Sequence, residues 1–161
     1  MLLIAVRRRE YKLSLNNMNY QLFSNTVFKI IGAAMDVHKA LGGGLLEPIY
    51  NEALCIELND IGVQAEPEKE IDCYYKNRKL EKKYRMDILV NNDIIVELKS
   101  TEKICPEHRF QLFNYLRLTK KPVGVLINFG GMSVYSERYG YESLTNECKL
   151  LSKDMKPYYN D

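Results

Sequence analysis

The sequence predicts an α/β domain built on a mixed sheet flanked by helices. Three features carry that prediction: a helical apolar period from Val27 to Leu41, a stretch from Val63 to Ser100 whose period shortens to that of strands, and an uninterrupted apolar run from Val123 to Phe129. With 161 residues, 46% of them hydrophobic, the chain can bury one substantial core and is short for two. A single domain is expected over residues 23–150, between a ragged N-terminal extension over 1–22 and a polar, loosely held tail over 151–161.

In chain order, Val27, Ile30, Ile31, Ala34, Val37 and Leu41 recur at i, i+3, i+4 and i+7, which marks an amphipathic helix, with Ser24 or Asn25 placed as its N-cap. The triplet Gly42-Gly43-Gly44 ends it, because glycine supplies the positive φ that a sharp reversal needs. A second helix fits Leu46 to about Asp60, with Pro48 tolerated in its first turn and Gly62 as its stop. Its expected inner stripe is Leu46, Ile49, Tyr50, Ala53, Leu54 and Ile61. From Val63 to Ser100, runs rich in Val, Ile and Tyr are broken by Lys76-Asn77-Arg78 and Asn91-Asn92-Asp93, so a three-stranded antiparallel meander is expected. After Pro106 the spacing of Phe110, Leu112, Phe113 and Leu116 returns to a helix. Val123 to Phe129 then reads as a buried central strand, and Met132 to Arg138 as a shorter one after the Gly130-Gly131 turn.

Lys and Arg outnumber Asp and Glu by 23 to 21, so net charge does not announce a polyanion-binding protein. The four cysteines, Cys55, Cys73, Cys105 and Cys148, show no spacing suited to zinc or an iron–sulfur cluster and read as reduced thiols of a cytoplasmic protein. The opening MLLIAVRRRE puts its apolar run before its charges, the reverse of a secretory signal, and is far shorter than the ~20 residues of a membrane span. Residues 1–17 are read as an extension upstream of a true start at Met18.

The chemistry concentrates between Tyr84 and Lys99. Side chains alternate along a strand, so Glu97 and Lys99 share one face while Leu98 points to the other. Whether Asp87 joins them depends on hairpin register. A two-residue loop would pair Val90 with Asp93 and set Asp87 across from Val96. A three-residue loop, Asn91-Asn92-Asp93, pairs Val90 with Ile94 and sets Asp87 opposite Glu97, about 5 Å away between α-carbons. Asn tolerates the left-handed backbone that such a loop requires, and the second register is the one expected. Two carboxylates that close repel unless a cation or a lysine lies between them.

Gly44-Leu45-Leu46-Glu47-Pro48-Ile49-Tyr50 matches the G-x-x-E-x-x-Y signature of the GxxExxY protein family, and Val37 to Gly42 and Asn51 to Leu54 also resemble that family. The likeness spans roughly Phe23 to Arg138. The family is similar to the PD-(D/E)XK nuclease superfamily, whose restriction-endonuclease-like core runs helix, three strands, helix, strand. The resemblance implies a metal-dependent nuclease acting on nucleic acid, DNA first, with Mg²⁺ or Mn²⁺ as cofactor, and a homodimer suits the cutting of two strands. It makes Asp87 and Glu97 metal ligands, with the Leu98 carbonyl as a third and Glu47 completing the shell. Lys99 would position or deprotonate the attacking water or stabilise the phosphate, and Gln111 would contact phosphate or the metal's water. Met86 stands where the superfamily's name has proline. The alternative is a nuclease-fold module that binds nucleic acid or a protein without cutting.

Four further residues are candidate substrate contacts. Arg85 shares the face of Asp87 and suits a phosphate or an ion pair with an acid. His38, near a helix C-terminus, fits either a contact to a phosphate or the metal's outer shell or simple capping, and His108, one turn before Gln111, fits the same cleft as that glutamine. Tyr115 fits a hydrogen bond to Gln111 or a buried ring with a wet hydroxyl. The run Lys76, Arg78, Lys79, Lys82 and Lys83, and the pair Lys120-Lys121, suit either a polyanion or ordinary protection of a sheet edge.

Overall fold

A computed structural model describes residues 18–158. After a short 3-10 helix, Tyr20–Phe23, the chain forms α1 (Ser24–Leu41) and α2 (Glu47–Asp60), then β1 (Ala65–Tyr75), β2 (Arg78–Val90) and β3 (Ile94–Lys99), then α3 (Pro106–Thr119) and β4 (Val123–Asn128), and finally β5 (Tyr135–Glu142) and β6 (Glu147–Leu151). The six strands lie in one sheet in sequence order. Every neighbouring pair is antiparallel except β3 and β4, which α3 connects in parallel. The sheet is mixed and flanked by helices, as its sequence pattern predicts.

Alternation along the central strands feeds two cores. On one face Ile94, Val96 and Leu98 of β3 and Val123, Val125 and Ile127 of β4 meet Val27, Ile30 and Ala34 of α1 and Leu54 and Leu58 of α2. On the other, Ile95 and Leu126 meet Leu112, Tyr115 and Leu116 of α3 together with Tyr139 and Tyr141 of β5. Gly124 makes the second contact close, since a Cβ there would lie 2.9 Å from a Leu112 methyl. All six residues of β3 are buried, so both of its polar side chains, Glu97 and Lys99, are carried into the interior.

The hairpin register follows the three-residue loop. Val90 pairs with Ile94, Leu89 with Ile95 and Ile88 with Val96, which makes Asp87 and Glu97 the next opposed positions. Asn91 and Asn92 both take positive φ, 48° and 60°, and the Asp93 N–H donates to the Val90 carbonyl at 3.0 Å.

Other expectations need correction. The inner face of α2 is Tyr50, Asn51, Leu54, Cys55 and Leu58, whereas Leu46, Ile49 and Ile61 are exposed. The buried face includes a polar residue, Asn51, whose amide hydrogen-bonds toward the sheet, and a stripe drawn from apolar residues alone was therefore rotated. Neither Ser24 nor Asn25 caps α1: Asn19 caps the preceding 3-10 helix, its side chain accepting from the Gln21 N–H at 3.2 Å. The last strands lie later than expected, at Tyr135–Glu142 and Glu147–Leu151, and the second was not foreseen.

Buried side chains also occur before residue 23 and after residue 150. Residues 1–17 and 159–161 of the expected extension and tail lie outside the described residues. Tyr20, however, is 4% exposed in the core, with its ring against Gly140 where any Cβ would collide. Leu151 and Met155 are likewise buried, and the Tyr158 N–H donates to the Leu150 carbonyl at 3.1 Å. If Tyr20 is part of the core, Tyr20→Ala removes its packing and lowers unfolding free energy by about 3 kcal/mol in urea titrations. A change below about 0.5 kcal/mol would restore the domain boundary at residue 23.

Candidate active site

The β2–β3 ladder stops at Ile88 and Val96, and the two strands part beyond it. The Asp87 carboxylate fills the gap, accepting the Leu98 N–H at 2.7 Å in place of a backbone partner. On its other side the β1–β2 pairing skips Asp87 and Glu68, between the pairs Pro67 with Ile88 and Lys69 with Met86. Glu68 has φ 57°, uncommon for a residue with a Cβ. Met86 and Ile88 would share a face under strict alternation yet belong to opposite cores. The strand therefore turns over at Asp87. Asn51 braces this point, its amide donating to the Asp87 carbonyl at 3.1 Å and to the Glu68 carboxylate at 3.4 Å.

Glu97 is 1% exposed and Lys99 8%. The Lys99 ammonium donates to Glu97 Oε1 at 3.1 Å and to Gln111 Oε1 at 2.9 Å, and Gln111 Nε2 donates to the Tyr115 hydroxyl at 2.9 Å. Tyr115 is itself held edge-on against Tyr84, with ring centroids 5.8 Å apart. Helix α3 thus orients the lysine through a chain of fixed side chains. The second oxygen of Glu97, Oε2, is buried with no hydrogen-bond partner. Burial first, then the charge of Asp87, pushes the Glu97 carboxyl up to about 8, against the pull of Lys99. Burial likewise lifts Asp87 to about 6, opposed by the Leu98 N–H and Lys99 and reinforced by Glu47 and Glu68.

Glu47 is the first residue of α2 and exposed, and its charge acts on both Asp87 and Glu97. A closed loop delivers it. Gly44 takes φ 83°, and the buried Tyr50 hydroxyl donates to the Gly42 carbonyl at 2.6 Å while accepting the Leu45 N–H at 3.0 Å. The Tyr50 ring stacks on Phe129 at 4.3 Å. In the G-x-x-E-x-x-Y segment, glycine and tyrosine therefore shape the turn from which the glutamate projects.

Asp87, Glu97, Lys99, Gln111 and Tyr115 come together, and Glu47 borders them. Arg85 is exposed, pairing with Glu68 at 3.3 Å and lying 3.8 Å from Glu70. The histidines are engaged elsewhere: the His38 ring nitrogen Nε2 lies 2.9 Å from the Gly131 carbonyl, and His108 Nδ1 accepts the Cys105 N–H at 3.2 Å in a capping box of α3. Glu68 and Asn51 were not foreseen. Glu68 lies in a run of alternating acids, and only the break at Asp87 singles it out. The basic hairpin residues are offset by acids across the strands, Lys79 by Asp72 at 2.7 Å and Lys83 by Glu70 at 2.8 Å. Among the described residues no three His, Cys, Asp or Glu side chains form a ready-made metal cage, so a cation here would draw on two carboxylates, backbone oxygen and water.

Two measurements probe this arrangement. Tyr50→Phe strands the Gly42 carbonyl and the Leu45 N–H and lowers stability by about 1–3 kcal/mol, read from urea unfolding. The raised carboxyls make the folded state hold more protons than the unfolded state between about pH 4 and pH 8, so the stability of the metal-free protein falls as pH rises through that window. Melting temperature measured in EDTA should drop by about 2–8 °C between pH 5 and pH 8.5, the shift ~1–2 kcal/mol gives at this size. The slope should flatten in Glu97→Gln. An unchanged slope in that variant would show that Glu97 is not the titrating group.

A model of the PD-(D/E)XK nuclease superfamily matches residues 24–139. No curated protein matches the chain. Among solved structures, the crystal structure of SSO0001 is similar with a TM-score of 0.43 and 22% identity, over 62% of this chain and 52% of that one. The chain spans about half the length of that structure. Since the family match covers well over half of the sequence, from α1 through the middle of β5, the chain belongs to the PD-(D/E)XK nuclease superfamily.

Proposed function

We propose that the chain is a metal-dependent nuclease hydrolysing phosphodiester bonds of nucleic acid, DNA foremost, at a centre of Asp87, Glu97 and Lys99 supported by Glu47 and Gln111. The unpartnered Glu97 Oε2 carries this reading. A buried carboxylate oxygen without a donor is costly, and Glu97 also faces the charge of Asp87. A hard cation relieves both costs, and the donors around it are oxygens, the set Mg²⁺ and Mn²⁺ prefer. Asp87, Glu97 and the Leu98 carbonyl would hold the ion, with Glu47 approaching from the start of α2. When bound, it supplies Lewis acidity at a phosphoryl oxygen and acidifies a coordinated water.

The chain's own residues do the rest. Lys99 spends two of its three donors on Glu97 and Gln111, which fixes its ammonium and leaves one N–H for the attacking water or a non-bridging phosphate oxygen. Gln111 holds its carbonyl toward Lys99 because Tyr115 takes its amide. Glu97 and Asp87 favour the ionised form once their mutual repulsion is relieved, which leaves their oxygens free to hold the ion. Gly44, Glu47 and Tyr50 support membership of the GxxExxY branch on this reading. The four free thiols fit a reducing, cytoplasmic setting, and no described helix is long and apolar enough to cross a membrane.

Cleavage of linear, nicked, branched and single-stranded DNA and RNA with Mg²⁺ or Mn²⁺ tests the proposal. Lys99→Ala should lower the rate by about 10²–10⁴-fold. Asp87→Ala should abolish calorimetrically detected Mg²⁺ or Mn²⁺ binding. Cutting that survives Lys99→Ala refutes the centre. Absence of carboxylate-dependent metal binding favours a non-cleaving module.

A further inference from the structure

The face of the sheet that carries Lys99 continues beyond it. Paired positions on adjacent strands share a face, and Lys99 pairs with Asn128 of β4, which pairs with Tyr135 of β5. One row below, Glu97 pairs with Leu126 and Leu126 with Glu137. Two strand spacings separate the reactive row from β5, about 10 Å. Over that end of the sheet lies a groove of about 340 Å³ whose lining includes Lys103, Ile104, Arg109, Asn128, Ser133 and Tyr135.

Arg109 is fixed in an unusual way. Its Nε and one Nη donate to the two oxygens of Glu137 at 2.8 and 2.6 Å, and Glu137 is 7% exposed. The Tyr135 and Tyr139 hydroxyls add hydrogen bonds to the same carboxylate at 2.7 and 2.6 Å. Burial pushes Glu137 up, but these donors outweigh it and hold the carboxyl below its ordinary range. Glu137 is buried in this pair while the Arg109 side chain stays 32% exposed, and an ion pair of this kind is weak evidence of a purely stabilising role. It does leave a guanidinium locked at the wall of a groove with its second Nη unspent, and it pins the half-exposed Tyr135 ring beside it.

We propose that this groove is a subsite for the nucleic-acid strand next to the scissile bond, in which Arg109 and Lys103 hold a backbone phosphate and the Tyr135 ring supports a base or sugar. This rests on the nuclease reading and adds where the strand runs: from Lys99 across Asn128 to β5. A free guanidinium edge and an ammonium match phosphate oxygens, and an aromatic face is the usual platform for an unpaired base. Asn128 shapes the floor, its carbonyl accepting the Thr101 and Gly130 N–H groups at 3.0 Å and its amide donating to the Thr101 carbonyl at 2.9 Å. Glu102 is the one acid in the lining, and its charge disfavours a second phosphate there.

The test is fluorescence anisotropy of a labelled single-stranded DNA oligonucleotide in EDTA, where nothing is cut, over a series of salt concentrations. Arg109→Lys, which keeps the charge but loses the fork, and Lys103→Ala, at an exposed position, should each weaken binding about tenfold, the loss expected for one charge-assisted hydrogen bond. Lys103→Ala should also reduce the slope of log K against log salt by about 0.7–1. Lys79→Ala, on the distant hairpin, should change neither. Wild-type affinity in both groove variants overturns the subsite. So does a lowered melting temperature in Arg109→Lys without lost affinity, which would mark a purely structural pair. Groove-dependent binding by a chain that never cuts would refute the nuclease reading, overturn the placement beside a scissile bond, and leave the groove a strand-binding site only. Lys99-dependent cutting with silent groove variants would keep the nuclease reading and overturn the subsite.

Discussion

Carboxylates are almost never buried unless something nearby satisfies them, and the central strand of this domain buries one with half of it unsatisfied. Glu97 sits on β3, whose neighbours on both sides and helices on both faces exclude water. The arrangement around it follows from that placement. Lys99 can neutralise only one oxygen, Gln111 and Tyr115 keep the lysine from rotating away, and the parting of β2 from β3 brings a second acid, Asp87, to the same place. The two buried acids side by side cost stability unless a positive ligand arrives, and the raised carboxyl groups express that cost. The site is thus the least relaxed part of an otherwise well-packed sheet.

How far this was legible in the sequence depended on whether a residue's role was encoded by its periodicity. The continuous apolar run of β4 read as a buried strand, and the asparagines at 91 and 92 carried the loop geometry that sets Asp87 opposite Glu97. The alternation of one strand put Lys99 on the face of Glu97, whereas Gln111 entered only through the family resemblance. What failed to show was polar burial. Asn51 faces inward because its amide serves two acceptors, so a purely apolar reading of α2 put its stripe on Leu46, Ile49 and Ile61, which the structure exposes. Glu68 escaped for a related reason: its backbone conformation, not its neighbours in sequence, distinguishes it.

The chain's ends teach the same lesson about small signals. Tyr20 and Met155 are single large side chains in polar surroundings, too sparse to register as a period, yet each fills a space against the core. Gly140 leaves the room for Tyr20, and this pairing of one glycine with one aromatic can be seen only once the strands are adjacent. The Arg109 and Glu137 pair is another such case, since the partners are far apart in sequence and meet through the register of β5 against β4.

The glycine loop before α2 shows how the site's rigidity is distributed. Tyr50 ties the loop to itself, Phe129 presses on the Tyr50 ring, and the Gly44 N–H donates to the Phe129 carbonyl at 3.3 Å, so the turn after β4 braces the turn before α2. The Lys99 carbonyl accepts the Phe129 N–H at 2.7 Å, and the brace therefore ends on the lysine's own backbone. Glu47 and Lys99 approach the centre from different layers of the domain, yet their backbones are joined through one aromatic residue. Their spacing is set by packing rather than by the length of either side chain, which suits the ion and water of the proposed centre. Glu47 stays exposed at the end of this brace, where its charge reaches both Asp87 and Glu97.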